Sequence, residues 1–237
     1  MKKKINEVYL REEFLPSPLS ILINPNYFDR RGLFNGIKSN TIYLKGKLLD
    51  FGCGNKPYKS LFNVKEYIGL DIEESGHAHH NENIDVYYDG NTIPFDDCTF
   101  DSIFSSEVFE HVFNLEQILR ELYRVLKPGG HILVTLPFVW EEHEIPFDFA
   151  RYTSFGIKNL MEKQGFKIVK LEKSNNYIEV IFQLCIAYLY RYVLPSRFKR
   201  VFTPLLIGPI TFMGVILSRI LPKNYNCYLS NIIVAQK

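Results

Sequence analysis

The chain has 237 residues, a formal net charge of +2, and 46% hydrophobic against 23% charged residues. That length holds one α/β domain with additions, whose core needs no disulfide staples, and the composition excludes a disordered chain. A charge so close to neutral argues against a nucleic-acid binder that is basic over its whole surface, so no nucleic-acid partner is expected.

Cys53, Cys98, Cys185 and Cys227 form no CxxC pair and no zinc-like cluster. They read as reduced, buried thiols of a cytoplasmic protein. The basic start Met1-Lys2-Lys3-Lys4 is followed by no apolar stretch of signal-peptide length, so export is not expected. Helical pieces broken by Pro16, Pro18, Pro25 and Gly32 predict an N-terminal cover over residues 1–45. From Lys47 the pattern changes to short apolar runs: Lys47–Phe51, Tyr67–Leu70, Ile84–Tyr88, Phe100–Ser105, His131–Leu136, Phe166–Leu171 and Ser230–Ala235. Between the fourth and fifth lies an amphipathic helix over 115–126, with Asn114 as its expected N-cap and Pro128-Gly129-Gly130 as its stop. A second helix is expected over Thr153–Gln164, closed by Gly165. Strands alternating with helices predict βαβ units and a mainly parallel sheet, which binds ligands beyond the carboxyl ends of its strands.

The candidate chemistry falls at those ends. The first strand runs into Gly52-Cys53-Gly54, where missing Cβ atoms let a ligand lie against the backbone. Asp71 ends the second strand, where a carboxylate can take both hydroxyls of a ribose. A dinucleotide fingerprint would carry a third glycine at position 57, so that a helix N-terminus could meet a pyrophosphate; Pro57 stands there instead. An NAD(P)-dependent oxidoreductase is therefore disfavoured, and no hydride-transfer site is recognisable.

Over residues 46–171 the chain resembles the class I S-adenosylmethionine-dependent methyltransferases. Asp50-Phe51-Gly52-Cys53-Gly54 is similar to their glycine-rich motif, Tyr67–Ile72 to their ribose-binding strand, and Asp89–Phe95 followed by Phe100-Asp101 to their adenine-binding segment. Ser105–Val112 and Glu121–Gly130 resemble the stretch after the fourth strand and the helix and turn leading to the fifth. The resemblance implies a Rossmann-like, seven-stranded, mainly parallel sheet flanked by helices, with S-adenosylmethionine as cofactor. It implies that Gly52, Cys53 and Gly54 pass under the methionine part and that Asp50 orients its amino group. Asp71 and Ile72 would hold the ribose, Asp89 and Gly90 the adenine, while Ser106 and Glu107 would lie near the methionine end. Lys56 stands where many relatives carry a third glycine, so the turn Asn55-Lys56-Pro57-Tyr58 is expected to differ in shape.

Methyl transfer from a sulfonium is an in-line displacement. It needs positioning, and a base only where the acceptor arrives protonated. The segment Pro137–Tyr152 offers a base, carboxylates and aromatic surface at the sheet's edge. His143 is the preferred general base and His111 the second candidate. The bland alternative makes His143 a loop hydrogen-bonder beside a structural Asp148–Arg151 ion pair. His77-Ala78-His79-His80 lacks metal-ligand spacing, so no metal is expected.

Residues 173–224 form a hydrophobic insertion before the last strand, leaving 46–172 and 225–237 as the cofactor-binding domain. Val180–Tyr190 carries no charge and would reach about 16 Å as a helix, against a bilayer core of ~30 Å. Val201–Ser218 is longer, but Pro204, Gly208, Pro209 and Gly214 are expected to interrupt it. The insertion is read as a packed cap or as a peripheral membrane contact through 177–221, at the inner face of the membrane, with Arg191, Arg197, Lys199 and Arg200 toward lipid. The leading function is transfer of a methyl group to a small-molecule, saccharide or lipid-linked acceptor. The other readings are a non-catalytic scaffold or membrane-docking domain, and the disfavoured oxidoreductase.

Overall fold

A computed structural model describes residues 2–72 and 83–237, with side chains from Val8 onward. The His77–His80 run lies outside the described residues. The helices are α1 (Lys2–Phe14), α2 (Ser20–Ile23), α3 (Tyr27–Asn40), α4 (Leu115–Val125), α5 (Ser154–Lys163), α6 (Tyr177–Tyr188), α7 (Lys199–Phe202) and α8 (Gly208–Ile220). The strands are β1 (Lys47–Phe51), β2 (Glu66–Ile72), β3 (Val86–Tyr88), β4 (Phe100–Ser106), β5 (Leu126–Pro137), β6 (Lys167–Lys173) and β7 (Ser230–Gln236). The chain divides into two compact units, residues 36–172 with 231–237 and residues 1–35 with 173–230, so the N-terminal segment and the insertion share a unit.

The seven strands lie in the order β3-β2-β1-β4-β5-β7-β6. The pairs β1–β2, β2–β3, β1–β4 and β4–β5 are parallel. Leu48, Leu49, Asp50 and Phe51 of β1 are all buried, as a central strand covered on both faces requires. The chain turns to one side of β1 for β2 and β3 and to the other for β4 and β5. The crevice at the carboxyl ends of β1 and β4 is therefore the switch point of the sheet.

On α4 the residues Leu115, Ile118, Leu119, Leu122 and Val125 form one buried stripe with helical spacing. Its polar face is not idle. Glu121 Oε2 accepts from Ile93 N at 3.0 Å, and Arg124 donates to the carbonyls of Ile93 (2.9 Å) and Phe95 (2.8 Å), tying segment 93–95 to the helix.

Two local expectations need correction. Asn114 stands at the N-cap of α4, its carbonyl accepting from Gln117 N and Ile118 N, but its side chain makes no capping bond: the amide donates to Gly90 O, Asn91 Oδ1 and Gln117 Oε1 and so holds the segment after β3. Pro128-Gly129-Gly130 does not stand outside the fifth strand. Gly129 N donates to Lys237 O and Lys237 N to Gly130 O, which draws the turn into a strand that begins at Leu126.

In the other unit, Glu12 Oε2 accepts from Ser17 N, Ser17 Oγ and Ser20 Oγ, closing the link between α1 and α2. A capping box between Asn176 and Glu179 starts α6. A π-turn, Leu189–Val193, lengthens α6. Another, Thr203–Ile207, helps join the pieces from Ser196 to Ile220 into one 25-residue helical run. The expected interruption does not occur. Pro204 and Pro209 sit in the first turn of their pieces, where a missing N–H costs little. Gly214 is present for close packing: a Cβ there would lie 2.7 Å from Phe182 Cγ and 2.8 Å from Phe28 Cζ.

Leu119→Ala removes a fully buried side chain from the α4 stripe and is expected to lower stability by about 2–5 kcal/mol, read from urea unfolding.

Candidate cofactor and acceptor site

Beyond β1, Gly52 N and Cys53 N both donate to Leu70 O, at 2.9 and 3.2 Å. The chain then bends at Gly54, whose φ is +43°. Gly54 N donates to Asp71 Oδ2 at 2.8 Å, while Ile72 N donates to Asp71 Oδ1 at 2.8 Å. Asp71 is thus held against the glycine bend, each oxygen keeping acceptor capacity beyond one backbone N–H. Above Gly54 the space is open among the described residues: a Cβ built there meets none of their atoms within 4 Å. At Gly52 a Cβ would lie 2.3 Å from Val108 Cγ2, so the segment leaving β4 lies close over the turn.

Lys56, at the position where the resemblance would place a third glycine, keeps a glycine-like φ of +53°. Its side chain is buried beneath β2, and its Nζ donates to Asp85 Oδ2 at 2.6 Å. Asp85 also accepts from Gly69 N at 2.7 Å. Tyr58, in the same turn, is buried edge-on against Phe104. Cys53 is buried with Sγ under Gly69, so only its backbone faces the turn, and burial and the nearby Asp50 push its thiol pKa up; Cys98 and Cys185, expected to be buried as well, are exposed. Asp50 is fully enclosed and accepts from the hydroxyl of Tyr67. Burial pushes its carboxyl pKa from the ordinary 3.8 up to about 7, against the lowering effect of that hydrogen bond.

Further along the same rim, Gly90 packs against Ile72 Cδ1. Asp89 is exposed and its Oδ1 accepts from Asn91 N and Thr92 N at 2.8 Å each, holding its carboxyl pKa below the usual range. Only its other oxygen could meet an adenine. Ser106 Oγ lies 2.8 Å from Thr135 Oγ1, and Glu107 N donates to Thr135 O at a φ of +55°, which fixes the turn out of β4.

That turn leads to a cluster that sequence reasoning resolved only in part. Glu110 is completely buried, and neither side-chain oxygen has a hydrogen-bond partner among the described residues. Burial first, and then the charge of Glu107, push its carboxyl pKa well up. Its backbone O accepts from Phe149 N at 2.8 Å, pinning the loop after β5. That loop brings His143 Nε2 to 4.0 Å from Glu110 Oε1 and sets the His143 ring edge-on to His111 at 4.8 Å. His111 Nε2 lies 3.7 Å from Glu110 Oε1 and 3.6 Å from Glu144 Oε1, with Nδ1 3.0 Å from Phe147 O.

Asp148 and Arg151 do form an ion pair, with Nη2 donating to Oδ2 at 2.6 Å. His143 is built onto it: its N donates to Asp148 Oδ2 at 3.0 Å, and Nδ1 lies 3.3 Å from the same oxygen and from Glu141 O. The donor Arg151 Nη2 also lies 3.3 Å from Nδ1, so this nitrogen faces one donor and two acceptors. Burial lowers both imidazole pKa values below 6.5, for His143 against Asp148 and for His111 against Glu144, which raise them. One ligand atom from each of Glu110, His111 and His143 lies within 4.8 Å of the others. Glu110 was legible only as part of a motif, because nothing in its spacing shows that it is buried.

A family model for the methyltransferase domain matches residues 49–134. A probable S-adenosylmethionine-dependent methyltransferase of Mycolicibacterium smegmatis is 33% identical over 139 residues, 51% of this chain and 52% of that protein. A ubiquinone/menaquinone biosynthesis C-methyltransferase of Pseudoalteromonas translucida is 36% identical over 97 residues, 40% of this chain and 37% of that protein. The chain thus spans about half or less of these relatives' lengths. A solved S-adenosylmethionine-dependent methyltransferase from Archaeoglobus fulgidus shares the fold, with a TM-score of 0.57 at 20% identity over 89% of this chain and 96% of that one. Residues 49–134 are thus part of a class I S-adenosylmethionine-dependent methyltransferase domain. The cofactor of that family fits the open bend at Gly54 and the carboxylate of Asp71 beside it.

The raised Asp50 carboxyl sets the sign of a pH effect. An acid whose folded pKa lies above its unfolded value destabilises the fold as pH rises between the two values, here from about 4 to about 7. Asp50→Asn is therefore expected to gain stability relative to the parent at pH 8 compared with pH 5, measured by urea unfolding at both values.

Proposed function

We propose that this chain transfers a methyl group from S-adenosylmethionine to the hydroxyl of an apolar small-molecule or lipid-linked acceptor. The observation that carries the reading is the Asp71 carboxylate bonded to Gly54 N at a rim left open above Gly54. Asp71 would take the ribose hydroxyls, the Gly52–Gly54 backbone the methionine part, and Ile72 and Gly90 the flank of the adenine. When bound, the sulfonium supplies an electrophilic methyl carbon. The carboxylates of Asp71 and Glu107 favour a cation at this rim. What remains for the protein is to hold the acceptor oxygen in line and remove its proton.

His143 Nε2 would take that proton, with Asp148 beside Nδ1 stabilising the imidazolium as it forms. Because burial keeps the ring neutral near pH 7, the base is in its working form there. Ile145, Phe147 and Phe149 are exposed on the same loop, and Phe113 stacks edge-on to Phe149 at 5.3 Å. Such a rim suits an apolar acceptor, and the quinone-pathway relative points the same way. A second reading has a specific basis in the donor set of Glu110, His111 and His143, which would suit a divalent cation polarising the acceptor hydroxyl in place of the imidazole base.

Calorimetry with S-adenosylhomocysteine is expected to give a binding isotherm that Asp71→Asn weakens by roughly 10–100-fold, the worth of hydrogen bonds to a charged group. No heat from the parent protein, or displacement of the ligand by NADH, would overturn the reading. With the acceptor found as the lipid-extract component that gains one CH2, turnover is expected to fall as the pH drops through the lowered imidazole pKa, at a pH below the ordinary 6.5. His143→Asn should lose about 10²–10⁴-fold and abolish that limb. Turnover that survives EDTA supports the imidazole; turnover abolished by EDTA and restored by a divalent metal supports the cation.

A further inference from the structure

The unit made of residues 1–35 and 173–230 is inside out by the standards of a protein surrounded by water. Along the helical run Ser196–Ile220 the buried positions are mostly small or polar: Thr203, Gly208, Thr211, Gly214 and Ser218, with Ile207 and Val215 between them. The outward positions are the large apolar ones, Leu205 (68% exposed), Phe212 (56%), Met213 (49%), Ile216 (40%) and Ile220 (72%). The helix α6 repeats the inversion. Gln183 is completely buried, accepting from Phe28 N at 3.1 Å and donating to Pro25 O at 2.9 Å, while Ile181, Leu184 and Tyr188 face outward. Of the 29 large hydrophobic side chains exposed among the described residues, 21 belong to this unit. A water-soluble amphipathic helix has the opposite pattern, whereas small residues turned to neighbouring helices and large apolar ones turned out are the habit of helices in lipid.

Charge says which lipid. This unit holds 13 Lys and Arg against 5 Asp and Glu, a formal +8, while the sheet unit holds 15 against 21, a formal −6. After Glu179 no carboxylate side chain occurs through residue 237. The cations flank the apolar run, with Arg197, Lys199 and Arg200 at its start and Arg219 and Lys223 at its end. Arg197 lies over the Phe198 ring at 4.7 Å and Lys199 over Tyr190 at 4.5 Å, the amphipathic pairing that suits a headgroup layer.

The run is long and apolar enough to cross a membrane, at 25 residues or about 37 Å, and only 39% of its most apolar stretch is buried. Its ends argue against a crossing. Ser174 N donates to Ser230 O at 2.8 Å and Ser230 N to Ser174 Oγ at 2.8 Å, so the insertion leaves and returns at one point. A spanning hairpin would carry Arg197, Lys199 and Arg200 to the far side, against the tendency of such residues to remain on the cytoplasmic face.

We propose that this unit is a monotopic membrane element. Its α6 and Ser196–Ile220 helices lie in the plane of one leaflet, apolar faces sunk ~5–10 Å into the acyl boundary and cations among anionic headgroups. The occupant of the exposed face is the surface of an anionic bilayer.

The full chain should pellet with vesicles of equimolar phosphatidylcholine and phosphatidylglycerol, and more weakly with phosphatidylcholine alone. Replacing Arg197, Lys199 and Arg200 with Gln should lower partitioning onto the anionic vesicles by roughly a hundredfold, at ~1 kcal/mol per charge. A separate variant carrying Leu205→Gln, Phe212→Gln and Ile216→Gln should remain in the supernatant with both vesicles while keeping the parent's thermal unfolding midpoint. Phe212→Trp should be quenched by shallow but not by bilayer-centre brominated lipids. A parent chain that stays in the supernatant with anionic vesicles, as a dimer covering its own apolar face or as a monomer, overturns the proposal; so does a glutamine-face variant that still pellets, or quenching at the bilayer centre. Binding of S-adenosylhomocysteine by the same preparation reads the cofactor site independently.

Discussion

The hydrogen bond from Gly54 N to Asp71 Oδ2 joins the turn after β1 to the end of β2, and the rest of the site depends on it. It requires the parallel register Phe51↔Leu70, in which Leu70 O takes both Gly52 N and Cys53 N. A slip of one residue would turn Asp71 to the other face of the sheet and leave the glycine bend facing an apolar side chain. That register is itself fixed from below. Lys56 reaches under β2 to Asp85, and Asp85 accepts from Gly69 N, so the turn is bolted to the strand by a buried cation as well as by its backbone. The open space above Gly54 is what remains once those side chains have been directed downward.

The cluster around Glu110 follows a different logic. Glu110, His111, His143 and Asp148 place four titratable groups in a small volume, and burial pushes the first three toward their neutral forms. Burial is the largest cause for each of the three, so the enclosure of the cluster disfavours its charged forms more than any one neighbour does. The Asp148–Arg151 pair stays ionised at the edge of this group and anchors the backbone of His143. The ion pair and the histidine are thus not rival explanations of the segment, since one positions the other.

Most of the sheet could be read from the chain because its signals are local. The apolar runs of β1 and β4, the glycines at 52 and 54 and the stripe on α4 each report a burial or a dihedral that a few neighbouring residues determine. What escaped depends on partners distant in sequence. Pro128-Gly129-Gly130 follows the end of α4 as read, but only pairing with Lys237 draws it into β5, and Asn114 stands at the N-cap while its side chain turns to the Gly90 carbonyl 24 residues away. Asp50 carries a motif signature, but its enclosure with Tyr67 comes from β-sheet pairing. The helix breakers in 201–218 were misread because proline is costly inside a helix and cheap in its first turn, and a π-turn makes a new first turn mid-run.

Opposite net charges on two units of one chain have a physical consequence when the cofactor is a sulfonium and the supporting surface is anionic. A site that binds a cation gains from carboxylates, and a unit that meets phosphate headgroups gains from their absence. A single mixed surface would weaken both attractions. Segregation into −6 and +8 lets each unit keep its own sign, and the near-neutral total of +2 hides the division. Overall charge was therefore a poor guide here: it argues against a uniformly basic surface, yet the excess of basic over acidic residues lies in the unit whose apolar side chains are exposed. Along Ser196–Ile220 large apolar side chains and cations occur with no carboxylate among them, a combination that water does not favour and a bilayer surface does.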